Sequence, residues 1–377
     1  MSIEWWQQFW AENNRCLYGD SLATDPSTDT LPIMPCFTTN RSRTPVLIEL
    51  GEDWIIGQMG VSYRRFIQDF DFQQQTRTAC AENLMTDIGF YLKPKVDTSS
   101  LLHGSIYGNP IEYPENSTPW LGHLIQNKDG ITALIARMER LDLSHAGLVP
   151  WFADKYRQLN RPYRWRILHD ATSVHGPGTI LSFLFGISGF ALYLYDEPDL
   201  MHTLLNLIGK VTVEYSHTVR RLTGAPATGV GIFDDVAGLV SPKHFRQFFL
   251  PVYEKIYGEL APERSDDRFY HNDARVSHLL DFLRALGVNG INPDPETDPA
   301  LIRQKLPETI IYGCVPPLIL QSGAPEAVTA QAQQSIERAG EGGGLVLTTA
   351  GSIPIGTPYE NLRALCQAAE QFGTYSG

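Results

Sequence analysis

The sequence predicts an α/β fold, a single parallel (β/α)8 barrel, and three observations carry that expectation. First, five short apolar runs in the last third of the chain each stop on polar residues. Gly229-Val230-Gly231-Ile232-Phe233 ends on Asp234-Asp235, Arg268-Phe269-Tyr270 on His271-Asn272-Asp273, and Val288-Asn289-Gly290-Ile291 on Asn292-Pro293-Asp294. Thr309-Ile310-Ile311-Tyr312 ends on Gly313-Cys314, and Gly344-Leu345-Val346-Leu347 on Thr348-Thr349. Second, helical stretches of ordinary βα-unit length separate these runs. Third, the C-terminal strand ends of a parallel β/α barrel open at one mouth, where chemistry is done. Polar groups delivered to one rim by successive strands read as an enzyme's cleft.

Composition sets the bounds. With 377 residues, 43% of them hydrophobic, the chain can bury a large core. A barrel of typical size, ~250 residues, leaves an N-terminal extension of about a hundred. Residues 1–120 are therefore expected as an extension and lid within the same domain, and residues 121–377 as the barrel. A formal charge of −12 argues against a nucleic-acid surface, which needs clustered Lys and Arg. No apolar stretch reaches the ~18 residues of a membrane span. The opening Met1-Ser2-Ile3-Glu4-Trp5-Trp6 lacks the basic and apolar regions of a signal peptide, so a cytoplasmic location is expected. The five cysteines, Cys16, Cys36, Cys80, Cys314 and Cys366, contain no C-x-x-C pair and suggest neither a disulfide framework nor a zinc ribbon.

Along the chain, Trp5, Trp6, Phe9 and Trp10 form the aromatic face of an amphipathic segment expected to pack on the domain. Residues 24–30, rich in Asp, Ser, Thr and Pro, read as a loop. Two strand-like runs follow, Pro45-Val46-Leu47-Ile48-Glu49-Leu50 and Gly108-Asn109-Pro110-Ile111-Glu112-Tyr113, within the lid or an elaborated first barrel unit. Residues 129–140 have helical periodicity, and Tyr163-Arg164-Trp165-Arg166-Ile167-Leu168 is strand-like, ending at His169-Asp170. Gly176-Pro177-Gly178-Thr179 opens a helical region. Asp196-Glu197-Pro198-Asp199 starts another, its acidic first turn suited to the helix dipole. Ser241-Pro242-Lys243 places a cap and an N1 proline after the Asp234-Asp235 loop. Gly323-Ala324-Pro325-Glu326 does the same before 328–338. Gly342-Gly343-Gly344 has no following Lys-Ser or Lys-Thr, and reads as the turn before the last strand rather than a phosphate loop.

In order along the chain stand His175-Gly176-Pro177, Asp234-Asp235 with Ser241-Pro242-Lys243-His244-Phe245, His271-Asn272-Asp273, and Gly313-Cys314-Val315-Pro316-Pro317. The stretch Gly351-Ser352-Ile353-Pro354-Ile355-Gly356-Thr357-Pro358-Tyr359-Glu360-Asn361-Leu362 closes the series. In these segments, over roughly residues 170–375, the chain resembles the uroporphyrinogen decarboxylase superfamily, which holds the haem-pathway decarboxylase and corrinoid-linked methyltransferases. The resemblance implies a β/α barrel with a deep cleft at its C-terminal mouth.

The subfamilies differ in chemistry. The decarboxylase carries an Arg-Gln-Ala-Gly-Arg stretch for its polycarboxylate substrate; Arg41-Ser42-Arg43 is the nearest basic pair here and lacks the pattern. Such a substrate needs fixed cations. That enzyme also has a His in its C-terminal Gly-rich loop, where this chain has Gly351. The zinc methyltransferases use His-x-Cys and a second Cys to lower the pKa of a substrate thiol. This chain keeps His271, offers Asp273 for the first Cys, and has Gly351 or Ser352 for the second. Two residues apart on an extended chain, His271 and Asp273 point to the same side and could hold zinc with Asp235 or another rim residue in N/O coordination. Asp273 equally fits as the cap of a helix starting near Val276, and His271 as a hydrogen-bonded barrel residue.

The leading expectation is a methyltransferase-type enzyme moving a methyl group from a small methylated compound to a corrinoid protein or thiol-type acceptor. Its leaving group would need protonation or a metal. The alternatives are a decarboxylase of a porphyrinogen or related pyrrolic acid, with Asp235 stabilising a protonated pyrrole, and a non-catalytic barrel that binds a tetrapyrrole or protein partner. Catalytic candidates are His271, Asp235 and His169. Candidate substrate contacts are Asp97, Tyr107, Asp234, Asn292 and Cys314, and His271 with Asp273 are candidate zinc ligands. His244 and His278 fall within expected helices and read as ordinary packing or surface histidines.

Overall fold

The computed structural model describes residues 44–88, 101–158 and 172–374. The aromatic segment at 5–10, the loop at 24–30, the run at 163–168, Asp97 and His169 lie outside the described residues.

A short antiparallel hairpin, β1 (Ile111–Glu112) and β2 (Trp120–Leu121), precedes the main sheet. Among the described residues that sheet has six strands, all parallel and in sequence order: β3 (Ser173–His175), β4 (Val230–Phe233), β5 (Arg268–His271), β6 (Gly290–Asn292), β7 (Ile310–Val315) and β8 (Leu345–Thr349). The last five are the five apolar runs of the sequence. Parallel strands require crossovers, and helices supply them. The longest, Pro198–Thr223, buries Met201, Leu204, Leu205, Ile208, Val211, Tyr215 and Val219 along one stripe. Pro198 opens it, and Gly224 closes it at φ 71°, a left-handed position that a Cβ would disfavour. Ser241 caps its helix by accepting from the His244 N–H, with Pro242 in the first turn. Gly342, Gly343 and Gly344 all have positive φ, so the triple glycine is the turn into β8.

The run at 45–50 belongs to the wall rather than to a detached lid. Val46 pairs in parallel with Leu347 and Leu50 with Ile353. Leu47 N–H donates to Leu347 O at 2.9 Å, Leu347 N–H to Pro45 O at 2.7 Å, and Ile353 N–H to Glu49 O at 2.9 Å. The N-terminal region thus contributes a strand position beside β8.

Strand alternation divides the apolar residues between two cores. Ile232, Tyr270, Ile291, Ile311, Leu345 and Leu347 join the large core beneath the helices. Leu47, Phe269, Tyr312 and Val346, with Phe233 and Ile310, form a second core on the opposite face. Phe269 and Tyr312 meet edge to face at 5.6 Å although β6 lies between their strands. The inward residue of β6 at that level is Gly290, paired with Phe269, and it has no side chain to hold them apart. A parallel sheet curved inward in this way, with helices outside, is the wall of a TIM barrel. No single helix among the described residues is long and apolar enough to cross a membrane.

The inner core makes a stability prediction. Phe269→Ala should lower the unfolding free energy measured by denaturant titration by about 3–5 kcal/mol. Leu318→Ala, at a residue 71% exposed, should change it by no more than about 0.5 kcal/mol.

Candidate active site at the barrel mouth

The inward alternation that places Phe269 in the inner core places His271, two residues on, at the C-terminal rim. Asp235 stands just past the end of β4 and Asp273 just past the end of β5. His271 Nε2 lies 3.3 Å from Asp235 Oδ1 and 3.4 Å from Asp273 Oδ1. One ligand atom from each of the three residues falls within 4.8 Å of the others. The imidazole is nearly enclosed, its side chain 12% exposed, whereas the Asp235 and Asp273 side chains are 45% and 60% exposed. The Phe233 ring packs 5.3 Å from the imidazole.

Burial alone would disfavour the imidazolium. Hydrogen bonding and charge from Asp235, then the charges of Asp273 and Glu49, outweigh it and raise His271 to about 9. Asp235 is also desolvated, yet His271 and the charge of His175 hold its carboxyl below the ordinary value. Burial raises Asp273, partly offset by His271 and reinforced by Asp235 and Asp294. The arrangement favours the charged imidazole, which lies between the carboxyl groups of Asp235 and Asp273.

Asp273 does not cap the following segment. Asn272 Oδ1 accepts from Ala274 N–H at 2.7 Å and Asp294 Oδ2 accepts from Val276 N–H at 2.9 Å, which leaves the Asp273 carboxylate to the mouth. The helix there begins at Leu280. Asp273 also abuts the C-terminal loop: a Cβ added at Gly351 would lie 3.0 Å from Asp273 Oδ1, and Gly351 has φ 86°. Glycine keeps that approach open.

Asp234 proves to be structural, which corrects its expected role as a substrate contact. It is fully buried and accepts from Gly178 N–H at 2.9 Å, Thr179 N–H at 2.7 Å and Tyr253 O–H at 2.6 Å. It therefore satisfies the free N–H groups at the start of helix Pro177–Phe185. A Cβ at Gly176 or Gly178 would fall 2.4 or 2.5 Å from this carboxylate, which accounts for the Gly-Pro-Gly spacing. Asp235 N–H donates to Thr179 Oγ1 at 3.0 Å, so the same helix start aims Asp235.

Cys314 is likewise displaced from the mouth. Strand β7 continues through it to Val315, its side chain packs in the large core, and burial pushes its thiol up to about 12. Tyr107 is buried beside His103, their rings 6.0 Å apart, rather than presented at the rim. Asn292 is buried at the end of β6. Its Oδ1 contacts His271 Nδ1 at 2.8 Å and Gly351 N–H at 3.0 Å, and its Nδ2 contacts Tyr312 O at 2.5 Å and Thr349 O at 3.0 Å.

Sequence reasoning missed two mouth residues. Glu49 follows the inward Leu47 by two positions, and its charge reaches His271. His175 ends β3 in register with Phe233; its N–H donates to His103 Nδ1 at 3.0 Å and its ring stacks on His103 at 5.8 Å. His103 is buried and driven well below the ordinary histidine range by desolvation and by His175. The alternation within 45–50 was the available signal for Glu49.

Comparison with known proteins settles the family. The profile described as Uroporphyrinogen decarboxylase (URO-D) matches residues 100–372. The chain belongs to the uroporphyrinogen decarboxylase family. Curated relatives include uroporphyrinogen decarboxylase of Coxiella burnetii, 28% identical over 184 residues, which are 48% of this chain and 49% of the relative. Another is the chloroplastic uroporphyrinogen decarboxylase of Zea mays, 29% identical over 177 residues, 47% of this chain and 44% of the relative. The match spans about half the length of these relatives. A solved methyltransferase from Methanosarcina mazei superposes with a TM-score of 0.64 at 18% identity, covering 88% of this chain and 95% of its own. That likeness establishes the shared fold.

The Asp234 clasp makes a pH prediction. Burial raises its carboxyl to about 6, although Tyr253, Gly178 and Thr179 pull the other way. A folded value above the unfolded one, near 3.9, means that this group's contribution is complete below about pH 4 and is lost as pH rises through about 6. Asp234→Asn should remove that slope from melting temperatures recorded across this window. Tyr253→Phe, which deletes a donor to a charged acceptor, should cost about 1.5–3 kcal/mol at pH 8 in denaturant titrations.

Proposed function

We propose that this chain is a methyltransferase-type member of its superfamily, moving a methyl group from a small methylated compound to a corrinoid protein or thiol-type acceptor. The observation that carries the reading is the convergence of Asp235, His271 and Asp273 at one point of the barrel mouth. A methyl–oxygen or methyl–nitrogen bond breaks only when its leaving heteroatom is relieved of developing negative charge. His271, held cationic by its two carboxylates, is placed to do this. As the acceptor's electron pair bonds to the methyl carbon, the C–heteroatom bond breaks and its electron pair takes the Nε2 proton. Neutral His271 is left behind.

The same residues fit a divalent ion. One imidazole nitrogen and two carboxylate oxygens are a harder donor set than the family's His-Cys-Cys, within the range zinc accepts. Asp235 Oδ1 is enclosed and, apart from the contact with His271, has no hydrogen-bond partner among the described residues. Asp235, His271 and Asp273 would hold the ion, which when bound would supply Lewis-acid polarisation of the donor heteroatom.

A second reading, decarboxylation of a porphyrinogen or related pyrrolic acid, is favoured by the names of the curated relatives. Two carboxylates beside the reacting position repel a polycarboxylate substrate, and this places it second. Carbon dioxide release from uroporphyrinogen, assayed with the purified protein, would reverse the order.

Zinc analysis of purified protein tests the metal. Stoichiometric zinc is expected in the wild type and none in His271→Ala, with unchanged circular dichroism. Because the proton on His271 must leave first, zinc affinity should climb with pH up to about 9 and then level off. Asp273→Asn should weaken zinc roughly tenfold or more at constant melting temperature, since this carboxylate caps no backbone. Asp273→Cys should strengthen it. If metal-free wild type transfers methyl groups at full rate, His271 acts as the proton donor and the zinc arm is rejected.

A further inference from the structure

We propose that Asn292 is the positioning residue of the mouth: its amide fixes which nitrogen of His271 faces the two carboxylates, and it anchors the loop that carries Gly351. The hydrogen-bond inventory leaves one solution. Tyr312 O and Thr349 O can only accept, so the group 2.5 and 3.0 Å from them is the amide NH2. Gly351 N–H can only donate, so the group 3.0 Å from it is the amide oxygen. Both halves of Asn292 are thereby assigned by backbone atoms, independently of His271.

The oxygen so placed also lies 2.8 Å from His271 Nδ1. An oxygen offers no proton, so Nδ1 must carry one in every protonation state of the imidazole. The alternative would set two lone pairs against each other in a buried site, at a residue 4% exposed. Nε2 is then the nitrogen that faces Asp235 and Asp273, whether it carries a proton or holds an ion. The two backbone acceptors lie on β7 and β8, so the amide joins four successive strands, β5 to β8. Through Gly351 N–H it also sets the loop whose bare Cα borders Asp273. No other residue type of this size offers two donors and a shared acceptor in that geometry.

The effect of Asn292 on metal binding rests on the function proposed above, whereas its effect on Nδ1 does not. The test uses metal-free protein carrying 15N-labelled histidine, the His271 signal being assigned by its loss in His271→Ala. Wild type should show a slowly exchanging, downfield Nδ1–H. Asn292→Ala should lose that signal to exchange with water. Asn292→Asp should retain it, its carboxyl protonated on the oxygen that faces Tyr312 O and Thr349 O while the other oxygen accepts from Nδ1 and from Gly351 N–H. Asn361 supplies a control for a merely structural effect, since its buried amide also bridges two carbonyls, Leu320 O at 2.8 Å and Gly323 O at 2.9 Å. Asn361→Ala should lower the melting temperature and leave the Nδ1–H untouched. Calorimetric titration with zinc should give an affinity about 10–100-fold weaker for Asn292→Ala and unchanged for Asn361→Ala.

An unprotected Nδ1–H in wild type, or one indifferent to Asn292→Ala, overturns the proposal. So does its loss in Asn361→Ala. The expected Nδ1–H pattern without zinc binding by any form supports the positioning role and rejects the metal reading alone.

Discussion

One buried carboxylate organises the mouth. Asp234 sits where β4 ends and takes up the free N–H groups of helix Pro177–Phe185, which would otherwise be enclosed without partners. Its other ties run to Tyr253 O–H and, through its own backbone carbonyl, to the side chain of Asn272 at the end of β5. Three units of the barrel are thereby locked at one level. The neighbouring Asp235 is turned the opposite way, toward the cleft, and His271 follows from the same registration of β4 against β5. A charged group buried to this depth is costly unless it is fully hydrogen-bonded. The glycines at 176 and 178 give it the room to be so.

The arrangement separates two jobs that a sequence reading lumps together. Asp234 and Asp235 are identical in type and adjacent, and the helix start that takes up one carboxylate decides which one is enclosed. His271 and Asp273 likewise bracket Asn272, whose side chain turns away to serve the backbone of β4 and Ala274. In both pairs the mouth takes one alternate set and the scaffold takes the other.

Much of this was legible in advance. The five apolar runs fixed the strands from β4 to β8, because each ends where Gly, Pro or a polar pair interrupts it. The family resemblance pointed to His271, Asp273 and Asp235, which converge. The failures have local physical causes. Cys314 reads as a rim residue only if β7 ends at Gly313, but the strand runs two residues further and the thiol packs under the helices. Asp234 could not be told from Asp235 without knowing which faced the helix start. Glu49 lies in a run that reads as a strand, but the strand it pairs with, which sets its place at the mouth, is some three hundred residues away. Asn292 is recognisable in the sequence as a polar strand end, yet its role depends on carbonyls of two other strands, which periodicity does not report.

The pairing of 45–50 with β8 also bears on how the chain reaches its native state. The strand Leu345–Thr349 is buried along its whole length, and among the described residues one of its flanks is covered by a segment from the other end of the chain. Until that segment arrives, β8 presents an apolar border with free N–H and C=O groups, the kind of template on which chains pair with one another. The contact that removes it has the greatest sequence separation in the sheet and so carries a large loop-closure cost. The barrel is thus most vulnerable to self-association in the interval before its two ends meet.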